Sequence, residues 1–248
     1  NILMASTLAD GISKLKNCAI EPEVIDLINF LKKCGANIKV KNRTITIKGV
    51  EELNLEDYKV IPDRIEAGSY ILATMATKGR LRLNNFNPND LTFPLKIYQD
   101  MGLKIKKISK TSYEFNCKTL KPIKKISTKE FPGYPTDLQA QLIATQLKSA
   151  LKSKVVENIF ENRFIHIPEL RRFGANLSII GKTVTIHKTL NLFGAEVMAT
   201  DIRASFSLII AAMMSKGTTV INRIYHLDRG YEDFDLKLKK CGVNISRK

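Results

Sequence analysis

The chain has 248 residues, of which 44% are hydrophobic and none is tryptophan, and its formal net charge at pH 7 is +16. This length is enough for one large domain or two modest ones, each with its own core. The longest apolar run lies near residues 207–214 and is far shorter than the roughly 20 residues that a membrane-spanning helix needs, so we expect no membrane partner.

The positive charge suggests an anionic partner, such as a nucleic acid, a membrane surface or a phosphorylated small molecule. The lysines are scattered, however, and the denser groups at 104–110, 121–125 and 237–240 lie beside predicted hairpins and helix ends. Aromatic residues do not interleave with them as they do in base-stacking surfaces. We therefore favour a solvated basic surface over a nucleic-acid interface.

The four cysteines, Cys18, Cys34, Cys117 and Cys241, form no CxxC pair, and no histidine stands near them at zinc spacing. The composition therefore predicts no metal and no cofactor, and a reduced, cytoplasmic setting. Cys34 and Cys241 occupy equivalent places in a repeat, so we expect both to be buried.

In chain order, the sequence repeats one pattern four times, in which a helix ends at a glycine and a strand follows. The glycines stand about 70 residues apart. Glycine at this place supplies the left-handed residue that ends a helix. The four glycines are Gly35, Gly102, Gly174 and Gly242.

A more apolar helix with its own following strand precedes each copy, and a second strand usually returns after the glycine strand, at 43–50, 111–117 and 182–188. Each unit therefore runs helix, strand, helix, strand, strand, which predicts an α/β fold with helices packed on sheets. The first copy begins inside its helix and the fourth has no returning strand. We expect something outside this chain to complete the array.

The apolar helices begin alike, in PDRIEAG (62–68), PTDLQAQ (135–141) and ATDIRAS (199–205). This register places Asp63, Thr136 and Thr200 at the helix N-cap, followed three residues later by Glu66, Gln139 and Arg203. The first two pairs match a capping box. Arg203 opposes the helix dipole, which favours a role in binding an anion.

Asp137 follows a stiff turn, FPGYP, and stands one residue inside its helix. Two interpretations stay open, a helix-stabilising acid and a base that faces a substrate. Arg163 and Arg229 each stand at a strand-to-helix junction, where α/β folds often hold ligands. With Arg203 they form either a set of anion ligands around Asp137 or surface salt bridges. The histidines of the same two loops, His166 and His226, either polarise a ligand or brace the loops.

Four long blocks then resemble the UDP-N-acetylglucosamine enolpyruvyl transferases, in particular the C-terminal portion of these enzymes. They are PGYPTDLQAQ, VVENIFENRFIHIPELRRFGANL, VMATDIRASFSLIIAAMMSKGTTV and RIYHLDRGYEDFDLKLKKCGVNI. The resemblance implies two domains, each an inside-out α/β barrel of three units around apolar helices. Residues 1–60 would be the remnant of the first domain, and 61–248 the second domain, with a last unit that lacks its return strand.

The resemblance also implies the reaction, which transfers the enolpyruvyl group of phosphoenolpyruvate to the 3-hydroxyl of UDP-N-acetylglucosamine, the first committed step of peptidoglycan synthesis. Asp137 would accept the proton of that hydroxyl. Ile159 would contact the sugar through its backbone, and Arg163 would support the sugar and the loop. Arg229 would bind the phosphate of phosphoenolpyruvate, and Arg203 would serve the same anionic region.

The family's reactive cysteine loop and its lysine–asparagine pair match nothing in this chain, so we expect the isolated chain to be inactive or nearly so. A separate N-terminal half of the enzyme is a candidate partner. Two alternatives remain open: the related transferase that acts on shikimate 3-phosphate, and a non-enzymatic, basic RNA-binding protein.

Overall fold

A computed structural model describes residues 1–149 and 151–247. Contacts along the chain divide it into two units, Asn1–Pro62 and Asp63–Lys248. The boundary expected from the sequence, after residue 60, lies close to this division. No helix over the described residues combines the length and the apolar character required to cross a membrane.

The first unit is one copy of the predicted repeat, with a three-stranded antiparallel sheet in the order β1-β3-β2. Its core is formed by apolar side chains that include Leu3, Ile28 and Ile47. Its elements are α1 (Ile2–Ala5), β1 (Ile12–Leu15), α2 (Pro22–Lys33), β2 (Asn37–Lys41) and β3 (Thr44–Lys48).

The second unit contains the other three copies. The first is α3 (Arg64–Ala76), β4 (Arg80–Leu83), α4 (Thr92–Asp100), β5 (Lys104–Lys107) and β6 (Tyr113–Asn116). The second is β7 (Lys125–Ser127), α5 (Gln139–Gln146), β8 (Ser153–Val156), α6 (Ile167–Arg172), β9 (Leu177–Ile180) and β10 (Thr183–Ile186). The third is β11 (Glu196–Met198), α7 (Ser205–Met214), β12 (Val220–Asn222), α8 (Tyr225–Asp228) and α9 (Phe234–Lys240).

The four glycines at the helix ends have the predicted left-handed conformation, with φ of +104° at Gly35, +109° at Gly102, +88° at Gly174 and +89° at Gly242. At Gly35 the amides of Gly35 and Ala36 donate to the carbonyls of Lys32 and Leu31, at 3.0 and 2.9 Å. This pattern satisfies the last carbonyls of the helix and turns the chain into the next strand. The helix ends predicted at the four glycines are therefore confirmed.

The central helices α3, α5 and α7 are buried over most of their length and pack against one another. The sheets of this unit run in the orders β4-β6-β5, β7-β8-β10-β9 and β11-β12, and the described strands do not close into a barrel. The predicted α/β architecture of repeated units around apolar helices is confirmed, as a set of open sheets.

The predicted strand after Gly242 is wrong for the described residues, since 243–247 has no strand pairing. A strand exists only through a partner ladder, and β12, the neighbouring strand of this copy, is paired with β11. The prediction that Cys241 is buried is also wrong, because the side chain is exposed. Cys34 is buried, as predicted.

Candidate active site

The starts of α3, α5 and α7 lie at one end of the second unit. Ser69 of α3 and Gln141 of α5 bond to each other at 3.1 Å, and both bond to the hydroxyl of Tyr231, at 2.9 and 3.0 Å. Ser69 and Gln141 each lie about six residues from the start of their helical segments, so the two helices run side by side with their starts level. The guanidinium of Arg203, before α7, lies 3.6 Å from the carboxylate of Asp63, which caps α3.

Asp137 lies in a 3-10 turn, Thr136–Leu138, that leads into α5. Its Oδ1 accepts a hydrogen bond from Nη2 of Arg163 at 2.5 Å, although 26 residues separate the two. Its Oδ2 has no hydrogen-bond partner within 1–149 and 151–247, and 37% of the side chain is exposed. One oxygen is thus fixed by a cation and the other is available to a ligand.

Arg163 is held from three sides. Its Nη1 donates to the hydroxyl of Thr136 at 2.8 Å, its backbone carbonyl accepts from Gln139, and its guanidinium lies over the ring of Phe160, with 4.9 Å between Cζ and the ring centroid. The planar guanidinium suits such paired contacts, which a lysine could not reproduce.

The capping prediction holds at Asp63, whose Oδ1 accepts from the amides of Ile65 and Glu66 at 2.7 and 3.0 Å. It is wrong at Thr136, whose hydroxyl bonds to Glu157 and Arg163 instead of a helix amide. It is also wrong at Thr200, since Asp201 accepts from the amides of Arg203 and Ala204 at 2.8 and 2.6 Å.

Arg203 is half-buried between carboxylates and an aromatic ring. Its Nη1 also donates to the carbonyl of Gly230 at 3.3 Å, and its Cζ lies 5.7 Å from the ring centroid of Tyr231. Burial lowers the pKa of Arg203, but the charges of Asp63 and Asp137 and the neighbouring hydroxyl of Tyr231 raise it, and the net pKa lies above the ordinary value. Arg203 therefore remains a cation beside the carboxylate of Asp63.

Arg203 and Arg229 line one cavity of about 900 Å³. Carboxylates outnumber cations on its wall, but most of them are already paired with Arg203, Lys237 or Arg247. Arg229, at the end of α8, is exposed and has no hydrogen bond or ion pair with any residue that the structure describes. It is therefore a cation in this wall that is available to an anionic ligand.

His166 is fully buried, and neither ring nitrogen has a hydrogen-bond partner among the described residues. Burial, with a smaller contribution from the charge of Arg163, lowers the pKa of His166 to about 3. A neutral imidazole enclosed in this way does not face a ligand. No group of histidine, cysteine and acidic residues over the described ranges has the arrangement of a metal site.

The sequence interpretation missed Glu157, which follows β8 and is 3% exposed. Its carboxylate accepts the amide of Ile159 at 2.8 Å, and it also bonds to Thr136. An acid directly after the two valines that end the strand SKVV was the available signal, because a buried carboxylate needs a specific set of donors.

A family model described as EPSP synthase (3-phosphoshikimate 1-carboxyvinyltransferase) matches residues 1–238. The chain belongs to the EPSP synthase family. Among curated relatives, this family member is 48% identical over 248 residues to the UDP-N-acetylglucosamine 1-carboxyvinyltransferase of Pelagibacter ubique, with 100% of this chain and 59% of the relative covered. The corresponding enzyme of Shewanella amazonensis is 45% identical over 249 residues, with the same coverage of both chains.

The solved structures agree with the family fold. The enolpyruvyl transferase NikO from Streptomyces tendae superposes with a TM-score of 0.87 at 25% identity, covering 98% of this chain and 58% of that one. An EPSP synthase from Acinetobacter baumannii superposes with a TM-score of 0.72 at 16% identity, covering 99% of this chain and 60% of that one, which shows the shared fold alone. This EPSP synthase family member spans about three fifths of the length of the curated relatives that it matches.

Proposed function

We propose that this chain supplies part of the active site of a UDP-N-acetylglucosamine 1-carboxyvinyltransferase. The observation that carries the proposal is the arrangement at Asp137, with one carboxylate oxygen bound to Arg163 and the other available to a ligand. The names of the relatives that match the whole chain support the same activity.

In the proposed reaction, Oδ2 of Asp137 takes the proton of the sugar 3-hydroxyl as the hydroxyl oxygen attacks C2 of phosphoenolpyruvate. As the carbon–oxygen bond forms at C2, C3 takes up a proton from solvent. C3 then loses a proton as the bond from C2 to the phosphate oxygen breaks, which restores the double bond, and inorganic phosphate leaves. The enolpyruvyl ether of the sugar nucleotide is the second product. The proton count balances because the hydroxyl proton is released from the carboxylate after the transfer.

The arginines take the anionic parts of the substrates. Arg229 binds the phosphate of phosphoenolpyruvate, since it has no partner within the described residues and lines the cavity. Arg203 adds positive potential at the same wall and is held there by Asp63 and Gly230. Arg163 orients Asp137, and Ile159 contacts the sugar through its backbone. The enzyme would act in the cytoplasm, in peptidoglycan synthesis.

Phosphate release tests this proposal. The chain is incubated with phosphoenolpyruvate and UDP-N-acetylglucosamine, alone and mixed with the remaining N-terminal part of the Pelagibacter ubique relative made separately. We expect release in the mixture and little from the chain alone. Asp137→Asn should abolish it, whereas Asp100→Asn, at an exposed carboxylate at the end of α4, should not.

Release that persists undiminished in the Asp137→Asn mixture would contradict the assigned role of Asp137. A mixture that turns over shikimate 3-phosphate in place of the sugar nucleotide would show that the related transferase activity is the correct one.

A further inference from the structure

Glu157 is a buried carboxylate that contacts no cation among the residues the structure describes. It is 3% exposed, and within 1–149 and 151–247 it forms no ion pair. Four neutral donors bind it instead. The hydroxyl of Thr128 and the amides of Ile159 and Phe160 donate to Oε1 at 2.9, 2.8 and 3.1 Å, and the hydroxyl of Thr136 donates to Oε2 at 2.7 Å. Burying a carboxylate among neutral groups costs free energy. A neutral side chain would therefore serve a purely structural role better than a glutamate does.

The hydroxyl of Thr136 connects Glu157 to Arg163. A guanidinium only donates hydrogen bonds, so the oxygen of Thr136 accepts from Arg163 and the single hydroxyl proton points to Glu157. The lone pairs of the same oxygen then face Nη1 of Arg163, which donates to it at 2.8 Å. The other terminal nitrogen of Arg163 reaches Asp137.

A second connection runs through Phe160. Its amide is bound by Oε1 of Glu157, and its ring lies under the guanidinium of Arg163 at 4.9 Å. The carboxylate thus fixes both a hydrogen-bond acceptor and an aromatic face that hold the guanidinium. Glu157 also binds the amide of Ile159. Because this amide is already used, a ligand at Ile159 would contact the backbone carbonyl oxygen of Ile159.

We propose that Glu157 is a positioning residue that acts through Thr136 and Phe160 to hold Arg163 on one oxygen of Asp137, leaving the other oxygen to the substrate hydroxyl. This inference rests on the proposed function for the role of Asp137. The placement of Arg163 by Glu157 is a property of the chain itself and is measurable without turnover.

The direct measurement is NMR of the Arg163 guanidinium N–H signals in the chain of 248 residues, assigned by their loss in Arg163→Lys. We compare Thr136→Val, which removes the linking hydroxyl, with Thr136→Ser, which keeps it. Thr145→Val is the matched control, because the Thr145 hydroxyl is buried in α5 and bonds to backbone carbonyls at 3.2 and 2.8 Å. Glu157→Gln keeps an acceptor for the loop amides but removes the charge.

We expect the Arg163 signals to exchange faster with water in Thr136→Val and Glu157→Gln, and to stay as in the parent chain in Thr136→Ser and Thr145→Val. Unchanged signals in both Thr136→Val and Glu157→Gln would overturn the inference. If Glu157→Gln does not fold, the Arg163 signals of the Thr136 and Thr145 variants still test the inference.

The reconstituted mixture gives the second readout. Thr136→Val should lower kcat by about 10- to 100-fold, because small misplacements of a catalytic group have effects of that size, with a much smaller change in KM, and Thr136→Ser should restore it. A Thr136→Val mixture with the parent kcat would also overturn the inference. Should the parent mixture itself be inactive, the proposed function fails while the NMR comparison still tests the role of Glu157.

Discussion

Arg163 lies 2.5 Å from Asp137, and each comes from a loop that is fixed elsewhere in the fold. Asp137 is placed by the turn before α5, and Arg163 by the loop between β8 and α6. Because both loops belong to the second copy of the repeat, the geometry of the pair depends on how the helices and strands of that copy pack.

Arg163→Lys should reduce turnover of the reconstituted mixture by about 10- to 100-fold. A lysine has one ammonium group, so it cannot bind Thr136 and Asp137 with a planar fork while lying on Phe160. Steady-state rates of phosphate release provide the measurement. Arg171→Lys is the control, since Arg171 also makes a two-nitrogen contact, to the carbonyl of Leu177, but far along α6. Equal losses in the two variants would contradict the prediction.

His166 should make the fold sensitive to acid between about pH 6.5 and pH 3. Its folded pKa of about 3 lies below the unfolded value of 6.5, so the unfolded chain takes up a proton in this window and the folded chain does not. Stability therefore falls as the pH falls, by up to about 1.4 kcal/mol for each pH unit.

His166→Leu removes this titration, so urea unfolding of the variant and the parent chain should diverge progressively below pH 6.5, with the variant favoured. The variant should also be no less stable at pH 7.5, because two unpartnered ring nitrogens no longer have to be buried. Parallel stability curves over the whole window would refute the assignment.

Asp63 should contribute to stability as a cap and to the site as a charge, and the two roles can be separated. Asp63→Ala loses the bonds to the amides of Ile65 and Glu66 and should cost about 1 kcal/mol of unfolding free energy. Asp63→Asn keeps a side-chain acceptor at the N-cap and should lose less. Both variants remove the ion pair that holds the guanidinium of Arg203 in place. Because a less fixed Arg203 binds the anion less well, both variants should raise KM for phosphoenolpyruvate in the mixture. A KM change in Asp63→Ala alone would show that the cap, and not the charge, matters.

The helix ends and the cap at Asp63 were predictable from the sequence because they depend on hydrogen bonds between residues that are close in the chain. The helix ends at Gly35, Gly102, Gly174 and Gly242 were readable because a left-handed glycine closes a helix through its own neighbours. The cap at Asp63 was readable for the same reason. The side-by-side starts of the central helices follow from the repeat.

Tertiary partners explain what the sequence did not reveal. Thr136 has the type and place of an N-cap, but the buried carboxylate of Glu157 and the guanidinium of Arg163 take its hydroxyl. The parallel pairs β7–β8 and β11–β12 were missed because β7 and β11 are only three residues long and carry no periodic pattern. The strand expected after Gly242 has no partner among the described residues, and its sequence alone could not show that.

Ser69, Gln141 and Tyr231 should act as one buried unit at the base of the site. The Tyr231 hydroxyl bonds to the other two side chains, and its ring lies beside Arg203. Tyr231→Phe should cost about 1–2 kcal/mol of unfolding free energy, because removing the hydroxyl leaves buried partners with fewer bonds. Ser69→Ala should have a smaller cost, since the Gln141–Tyr231 bond survives.

The double variant, Ser69→Ala with Tyr231→Phe, tests whether the three groups are coupled. Distant, independent sites add within about 0.3–0.5 kcal/mol, whereas members of one hydrogen-bond network deviate by more. We expect the double variant to lose less than the sum of the single losses, because the bond between Ser69 and Tyr231 is counted in both. Urea unfolding of the four chains gives the coupling energy. Additive losses would mean that the three side chains stabilise α3, α5 and the loop after α8 independently of one another.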